Sequence, residues 1–579
     1  MRQEDTETNA PASAVGRPTR PLRQQRRPLG RLLSGIWLLF SVATAAQALP
    51  SQEISPGRYS ALTQIDRDNV SRLKPVVSFR TGTRGAQGGA PLVVGSTLYF
   101  LTSFPHVLFA LDLNRPGAAV RWQFAPEHDP LAAGLACCSR VEHGPVFGAG
   151  HIYFSTLDGR VIALDPDTGQ VTWNVVVADI HNGETLVSPP TMLGNELLIG
   201  NAGDDFGARG WIVALDANSG REIWRRYSTG PDQDVGIIPA GQDRGSKTWP
   251  GESWLHGGGG VAAPVLVDPD LGLAFHSTGP PSPWNPEPRP GDNAWTSGIF
   301  ARELKTGAVR WFAALHPHNL YAWAEDIADI SVDREWNGKS RQLLLHADSD
   351  GRLYVLDRTS GELLAADALL SQSTVSTPRT NMQVRNICPA WVGAIGGNPA
   401  FAATAGFLYV PLSRLCMDIE ARNASYLQGT PYIGANVRVH GTPGQPRGEL
   451  VAWDLERRAA AWRLDERFPI ASDVLVTSGG LVFYGTLDGL VKAVDATSGK
   501  ELWHWQTNAG ISGQPMTFAG PDGRQYLAVV AGLGGPYGVA SEYWIDRRDA
   551  TAVRGLAQSV ADLPAPVDPS GTLYVFDIQ

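Results

Sequence analysis

The stretch LACCSRVEHG, Leu135 to Gly144, sets Cys137 beside Cys138 and follows them with His143. The chain has only two other cysteines, Cys388 and Cys416, so pairing two thiols on neighbouring residues needs a reason. The other residues able to do chemistry are scattered. Histidines occur at 181, 256, 276, 316 and 318, the last two as HPH, and two acids adjoin at Asp204 and Asp205. Imidazoles with carboxylates suit a transition metal, but no HExxH spacing ties them together, and twelve histidines in 579 residues is ordinary. There is no CxxCH for attached haem. The GGGG run at 257–260 opens no strand–helix unit and reads as a turn, not a phosphate loop.

The composition says where such residues would work. Only 18% of residues are charged and 43% are hydrophobic, with 64 Gly, 42 Pro and 18 Trp. Residues 1–31 carry seven Arg against three acids, and LLSGIWLLFSVATAA then supplies an apolar run followed by small residues at Ala43, Ala45, Ala46 and Ala48. That order predicts a secretory signal over residues 1–48, too short in its apolar part to span a bilayer, with Arg26-Arg27 hinting at twin-arginine export. The signal is net +4 and the whole chain −9, so the exported part is near −13 and presents no basic patch for nucleic acid. A periplasmic location follows, where an even set of four cysteines reads as two bridges.

Elements able to position a site come from one repeated pattern. STLDGRVIALDPDTGQVTW (Ser155–Trp173) and GTLDGLVKAVDATSGKELW (Gly485–Trp503) are nearly the same. Looser copies end at Trp122, Trp224, Trp311 and Trp462, another is LYVLDRTSGELL near Asp357, and LYVFDIQ closes the chain with a half copy. In each, an alternating apolar strand reaches an acid, a Gly turn reverses the chain, and a second strand delivers an indole. Long helical patterns are scarce. Seven copies and a half predict an all-β fold, one eight-bladed β-propeller with tryptophan-docking repeats over residues 49–579, the last half pairing with N-terminal strands.

The motifs between these repeats resemble the PQQ-dependent (quinoprotein) alcohol dehydrogenases of the methanol dehydrogenase type. The resemblance runs from NVSRLKPVVSFRTG to YVFDIQ through GAPLVV, TSFP, ACC, GARG, STGPD, PSPWN, LDRTSG, ICP, LCMD and LVFYGTLDG. It implies disulfides Cys137–Cys138 and Cys388–Cys416. Neighbouring Cα atoms lie about 3.8 Å apart, below the usual disulfide span of roughly 4.4–6.8 Å. The first bridge would therefore close a strained, rigid plate, and in the family it lies against pyrroloquinoline quinone (PQQ) in an axial funnel. The resemblance also implies calcium or a lanthanide on the quinone, a small alcohol-like substrate, and a separate c-type cytochrome or other acceptor.

Carried over residue by residue, that site is altered. Asp205 stands at the position of a metal-binding Glu, and Pro280 at that of a metal-binding Asn. Ala322 stands where the family has its general base; Asn319 and Tyr321 flank it, and Glu325 and Asp326 would need a register shift. Gly88, His143, Ala262, Ser349, Gly396 and Ala471 replace an acid, an Arg, a Trp, an Arg, an Asn and a Trp that contact the quinone. Each lost polar partner costs about 1–3 kcal/mol. Three functions follow: an exported oxidoreductase of this family, acting on a small substrate with altered or lost PQQ use; a non-catalytic scaffold or binding propeller; or a ligand carrier using the emptied funnel. His143 and Asp205 map to one rim of the pocket, so a transition metal held there in place of the quinone is an alternative to surface or structurally hydrogen-bonded histidines.

Overall fold

In the computed structural model the described residues are 58–84, 89–135, 144–237, 243–323, 327–370, 383–541, 545–566, 568 and 570–579. The proposed signal segment, 1–48, lies outside them. No helix among the described residues is long and apolar enough to cross a membrane.

Strands dominate. Eight sheets each hold four consecutively hydrogen-bonded antiparallel strands, beginning at Leu92, Val146, Thr191, Leu266, Ile330, Ala400, Leu475 and Met516. The Leu475 sheet gains Tyr59–Ser60 as a fifth, parallel strand. In the eighth sheet the half-repeat Ser570–Ile578 pairs antiparallel with Leu73–Arg84, so the two ends of the chain share one sheet. A ninth, three-stranded sheet of Gln383–Ile387, Cys416–Ala421 and Ala435–His440 is inserted around the sixth. Cys388 and Cys416 are bridged where it begins, closing a loop 28 residues apart in sequence.

The repeat explains how sheets meet. The indole Nε1 of Trp122, on the last strand of the first sheet, donates to the Pro166 carbonyl in the next sheet at 3.0 Å. Trp173 reaches Ala217, Trp224 reaches Leu304, Trp311 reaches Arg358, Trp462 reaches Ala496 and Trp503 reaches Leu73, all at 2.9–3.2 Å. Each bond ties one sheet to its successor, and in all but Trp503 the ring also covers the Gly of the turn in that next sheet. A Cβ at Gly169 (φ +70°) would lie 2.6 Å from the Trp122 ring. Two junctions lack the indole. The fifth sheet has Ala365 there and joins the sixth through an apolar cluster around Leu343, Val355, Leu408 and Val451. The eighth meets the first through Phe79, edge-on to Phe100 and Phe109.

Buried polar groups sit at the loop ends. The Leu157 N–H donates to His106 Nε2 at 3.0 Å, leaving the ring proton on Nδ1, 3.2 Å from the Thr102 carbonyl. Burial pushes this imidazole down to about 4.

Two predictions follow from this packing. Gly169→Ala should destabilise the protein clearly more than Gly523→Ala. The two glycines have φ of +70° and +76°, but a Cβ at 523 meets open space, so Gly523→Ala reports backbone strain of about 1–2 kcal/mol and Gly169→Ala adds overpacking of roughly 1–3 kcal/mol. Denaturant midpoints measure the difference. For His106, the folded pKa lies below the unfolded 6.5, so the unfolded chain binds more protons and stability falls as pH drops from about 6.5 toward 4. His106→Gln should therefore shrink the loss of stability between pH 7 and pH 5 by about 1–2 kcal/mol, read by urea unfolding at the two pH values.

Candidate functional site

The segment NAGDDFGARG leaves its strand at Gly200 and turns through a single helical turn, Asp204–Phe206. The two acids of that turn diverge. Asp204 Oδ1 accepts from the Gly260 N–H at 2.7 Å, and its carboxylate fills the space beside Gly279, where a Cβ would come within 2.2 Å of Oδ2. Asp204 thus reaches the glycine run and the neighbourhood of Pro280. Asp205 points elsewhere. Its Oδ2 accepts from Arg554 Nη1 at 2.7 Å, with side chains only 25% and 14% exposed, while its carbonyl accepts from the Tyr432 N–H. The Arg554 guanidinium carbon lies 5.2 Å from the Trp284 ring centre and 5.4 Å from that of Trp391. Two indoles and one carboxylate therefore hold this cation.

Other positions carried over from the resemblance are filled by apolar packing or by backbone. Ala322 and Ala471 are both buried in one apolar cluster with Trp284, Trp323, Trp391, Met417, Phe468, Tyr537 and Leu556. At Gly396 a Cβ would meet the Ile470 carbonyl oxygen at 1.9 Å, so no side chain fits. Asn319 is committed to local structure: its Nδ2 donates to Ser297 Oγ, and its Oδ1 accepts from the Tyr321 N–H. Ala262 is half-buried and carries no ring. Gly88, Cys137, Cys138, His143, Glu325 and Asp326 lie outside the described residues.

The histidines do not gather around Asp205. His181 faces Asp129 at 3.6 Å, His256 stacks on Tyr426, His276 Nε2 accepts from buried Arg302, and His318 lies against Asn293. Of the five histidines singled out in the sequence, only His316 meets a pair of acids. It follows the strand Val309–Ala314, and its Nε2 lies 3.0 Å from Asp348 Oδ1 in the HADSDG turn. Asp350 joins them, and one ligand-capable atom from each of the three lies within 4.8 Å of the others. His346 continues the chain, with Nε2 3.4 Å from Asp348 Oδ2 and Nδ1 2.8 Å from Asp329. Although burial works against its charge, the neighbouring His316 and then His346 hold Asp348 well below the ordinary carboxylate range. Burial, and next the Asp348 charge, push Asp350 up to about 7. Ser349, between the two acids, is buried.

Sequence reasoning missed Arg554, Asp348 and Asp350. Arg554 lies 349 residues from its partner and carries no local signal. Asp348 was visible in the repeat, because HADSDG aligns with STLDG and puts an acid where that copy has Thr156.

Comparison with known proteins agrees with this architecture. The family model "PQQ: Glucose/ethanol/alcohol dehydrogenase, beta-propeller domain" matches residues 51–367 and 444–527. The chain is 38% identical over 553 residues to a lanthanide-dependent methanol dehydrogenase of Methylacidiphilum fumariolicum (strain SolV), covering 90% of each. It is 32% identical over 569 residues to methanol dehydrogenase (cytochrome c) subunit 1 of Paracoccus denitrificans, covering 92% of this chain and 90% of that protein. The solved structure of a europium-containing methanol dehydrogenase superposes with a TM-score of 0.86 at 37% identity, over 90% of this chain and 96% of the other. The chain belongs to the PQQ-dependent methanol and alcohol dehydrogenase family.

The Asp205–Arg554 pair yields a direct test. Arg554→Met should destabilise the protein by roughly 1–3 kcal/mol, below the value for a fully buried pair because solvent reaches both groups. Adding Asp205→Asn should recover part of the loss, since it removes the charge left unpaired. A double-mutant cycle by denaturant unfolding measures the coupling.

Proposed function

We propose that this chain is an exported, oxidoreductase-family propeller whose use of PQQ is altered or lost, with the eight sheets as its blades and the indole contacts as their docking. The carrying observation is the ion pair between Asp205 and Arg554. By resemblance Asp205 would help hold the quinone's calcium or lanthanide; here a guanidinium supplies the positive charge. The residues described at these positions do not fit that metal and quinone. Pro280 brings no side-chain ligand, Ala322 brings no base, and Ser349 brings no cation to the quinone carbonyls. PQQ is a tricarboxylate, and buried anions without partners are costly. Any redox chemistry would act on a small substrate and pass electrons to a separate carrier such as a c-type cytochrome, from a periplasmic location set by residues 1–48.

A second reading, a scaffold or ligand-carrier propeller without catalysis, is favoured by the burial of Ala322 and Ala471 in the apolar cluster. An ultraviolet–visible spectrum and a titration with PQQ plus calcium or lanthanum test the proposal. The expected outcome is no stoichiometric uptake at micromolar quinone and no alcohol-dependent dye reduction. One tightly held equivalent of PQQ that turns over alcohol would overturn it.

A further inference from the structure

Three sheets join their second and third strands by the same five-residue turn: Thr156–Arg160, Thr486–Leu490 and Asp348–Arg352. In each, the first N–H donates to the fifth carbonyl at 2.8–2.9 Å, and the fourth residue is Gly with φ between +84° and +93°. In two of them a threonine hydroxyl donates to the third residue's carboxylate, Thr156 to Asp158 and Thr486 to Asp488. The third turn has Asp348 in the threonine position. A hydroxyl–carboxylate bond is thereby replaced by two almost fully buried carboxylates, Asp348 and Asp350, with side chains 0% and 4% exposed. Threonine closes this turn elsewhere in the same molecule, so the backbone does not require the second acid.

We propose that His316, Asp348 and Asp350 bind a divalent first-row transition-metal ion. One imidazole with two carboxylates is a donor set for zinc, iron, manganese or cobalt, whereas calcium takes six to eight oxygens. Two ligands each about 2.1 Å from a metal lie roughly 3.0–3.4 Å apart, which matches the 3.0 Å between His316 Nε2 and Asp348 Oδ1. Asp348 Oδ2, on a completely buried side chain, is met among the described residues by His346 Nε2 at 3.4 Å, without hydrogen-bond geometry. The groups around the site are those of an outer shell. Asp329 backs the His346 ring at 2.8 Å, and Asp350 Oδ2 is met by the Tyr354 hydroxyl at 3.0 Å and by Arg352 Nε at 3.5 Å. Such partners orient ligating carboxylates. His316, with 13% of its side chain exposed, is the edge nearest solvent. The site uses none of the positions assigned to the quinone.

The test titrates the chelator-treated full chain with cobalt(II) alone, without PQQ, following visible d–d absorption and metal content. One equivalent should bind, and the metal should raise the thermal midpoint. Asp348→Thr copies the turn of the two sister sheets. It should keep the apo thermal midpoint within about 3 °C and weaken cobalt binding by at least about 100-fold. Asp350→Asn should weaken it similarly and carries the same reading if Asp348→Thr does not fold. A chain that takes up no cobalt at millimolar concentration contradicts the proposal. So does a folded variant that binds as the parent does, which would place the metal elsewhere. Because no quinone is present, neither result depends on how PQQ behaves.

Discussion

A single indole at each of six sheet junctions sets the geometry on which everything else depends. The Nε1–H of that ring is satisfied by a carbonyl of the next sheet, and at five of the six its face covers a glycine in the next sheet's turn, where a Cβ would clash. This contact joins a directional bond to a large apolar plate, so it fixes both the spacing and the rotation of neighbouring sheets. Loops at the sheet ends are then held in place whatever residues they carry. A scaffold of this kind can keep its TM-score of 0.86 to a methanol dehydrogenase while the residues between the strands change.

In the function we propose, those residues depart from the family's in a coordinated way. A carboxylate survives at 205, but its charge is met from within the chain by Arg554, itself flanked by Trp284 and Trp391. Around it, Ala322 and Ala471 help to fill an apolar cluster, and Asp204 occupies the space that Gly260 and Gly279 leave open. Acidic charge is also gathered in the HADSDG turn, where Asp348 and Asp350 lie against His316. The ligands proposed for the metal flank Ser349 without using it.

The sequence made the framework readable because the repeat states its own physics: alternating strand, acid, glycine turn, indole. Trp173 and Trp503 stand out as packing indoles by inspection, and the half-repeat LYVFDIQ requires strands from elsewhere in the chain. Asp205 was also found by its motif. Its partner was not, because an ion pair across 349 residues leaves no local pattern. The histidines illustrate the reverse error. His181, His256, His276 and His318 fall in neighbouring segments, yet each is absorbed by a local partner, since sequence proximity to an axis does not set side-chain direction. Among the five singled out in the sequence, His316 alone meets two carboxylates, and the acid beside it was encoded as a departure of one turn from its sister copies.

The central claim is that the charge facing Asp205 belongs to Arg554 and not to a quinone-bound metal. Crystals grown with PQQ and a lanthanide, measured at the lanthanide absorption edge, test it most directly. The account predicts no anomalous peak within coordination distance of the Asp205 carboxylate and Arg554 in place at its side. A strong peak there, with Arg554 displaced and quinone density beside it, would contradict it.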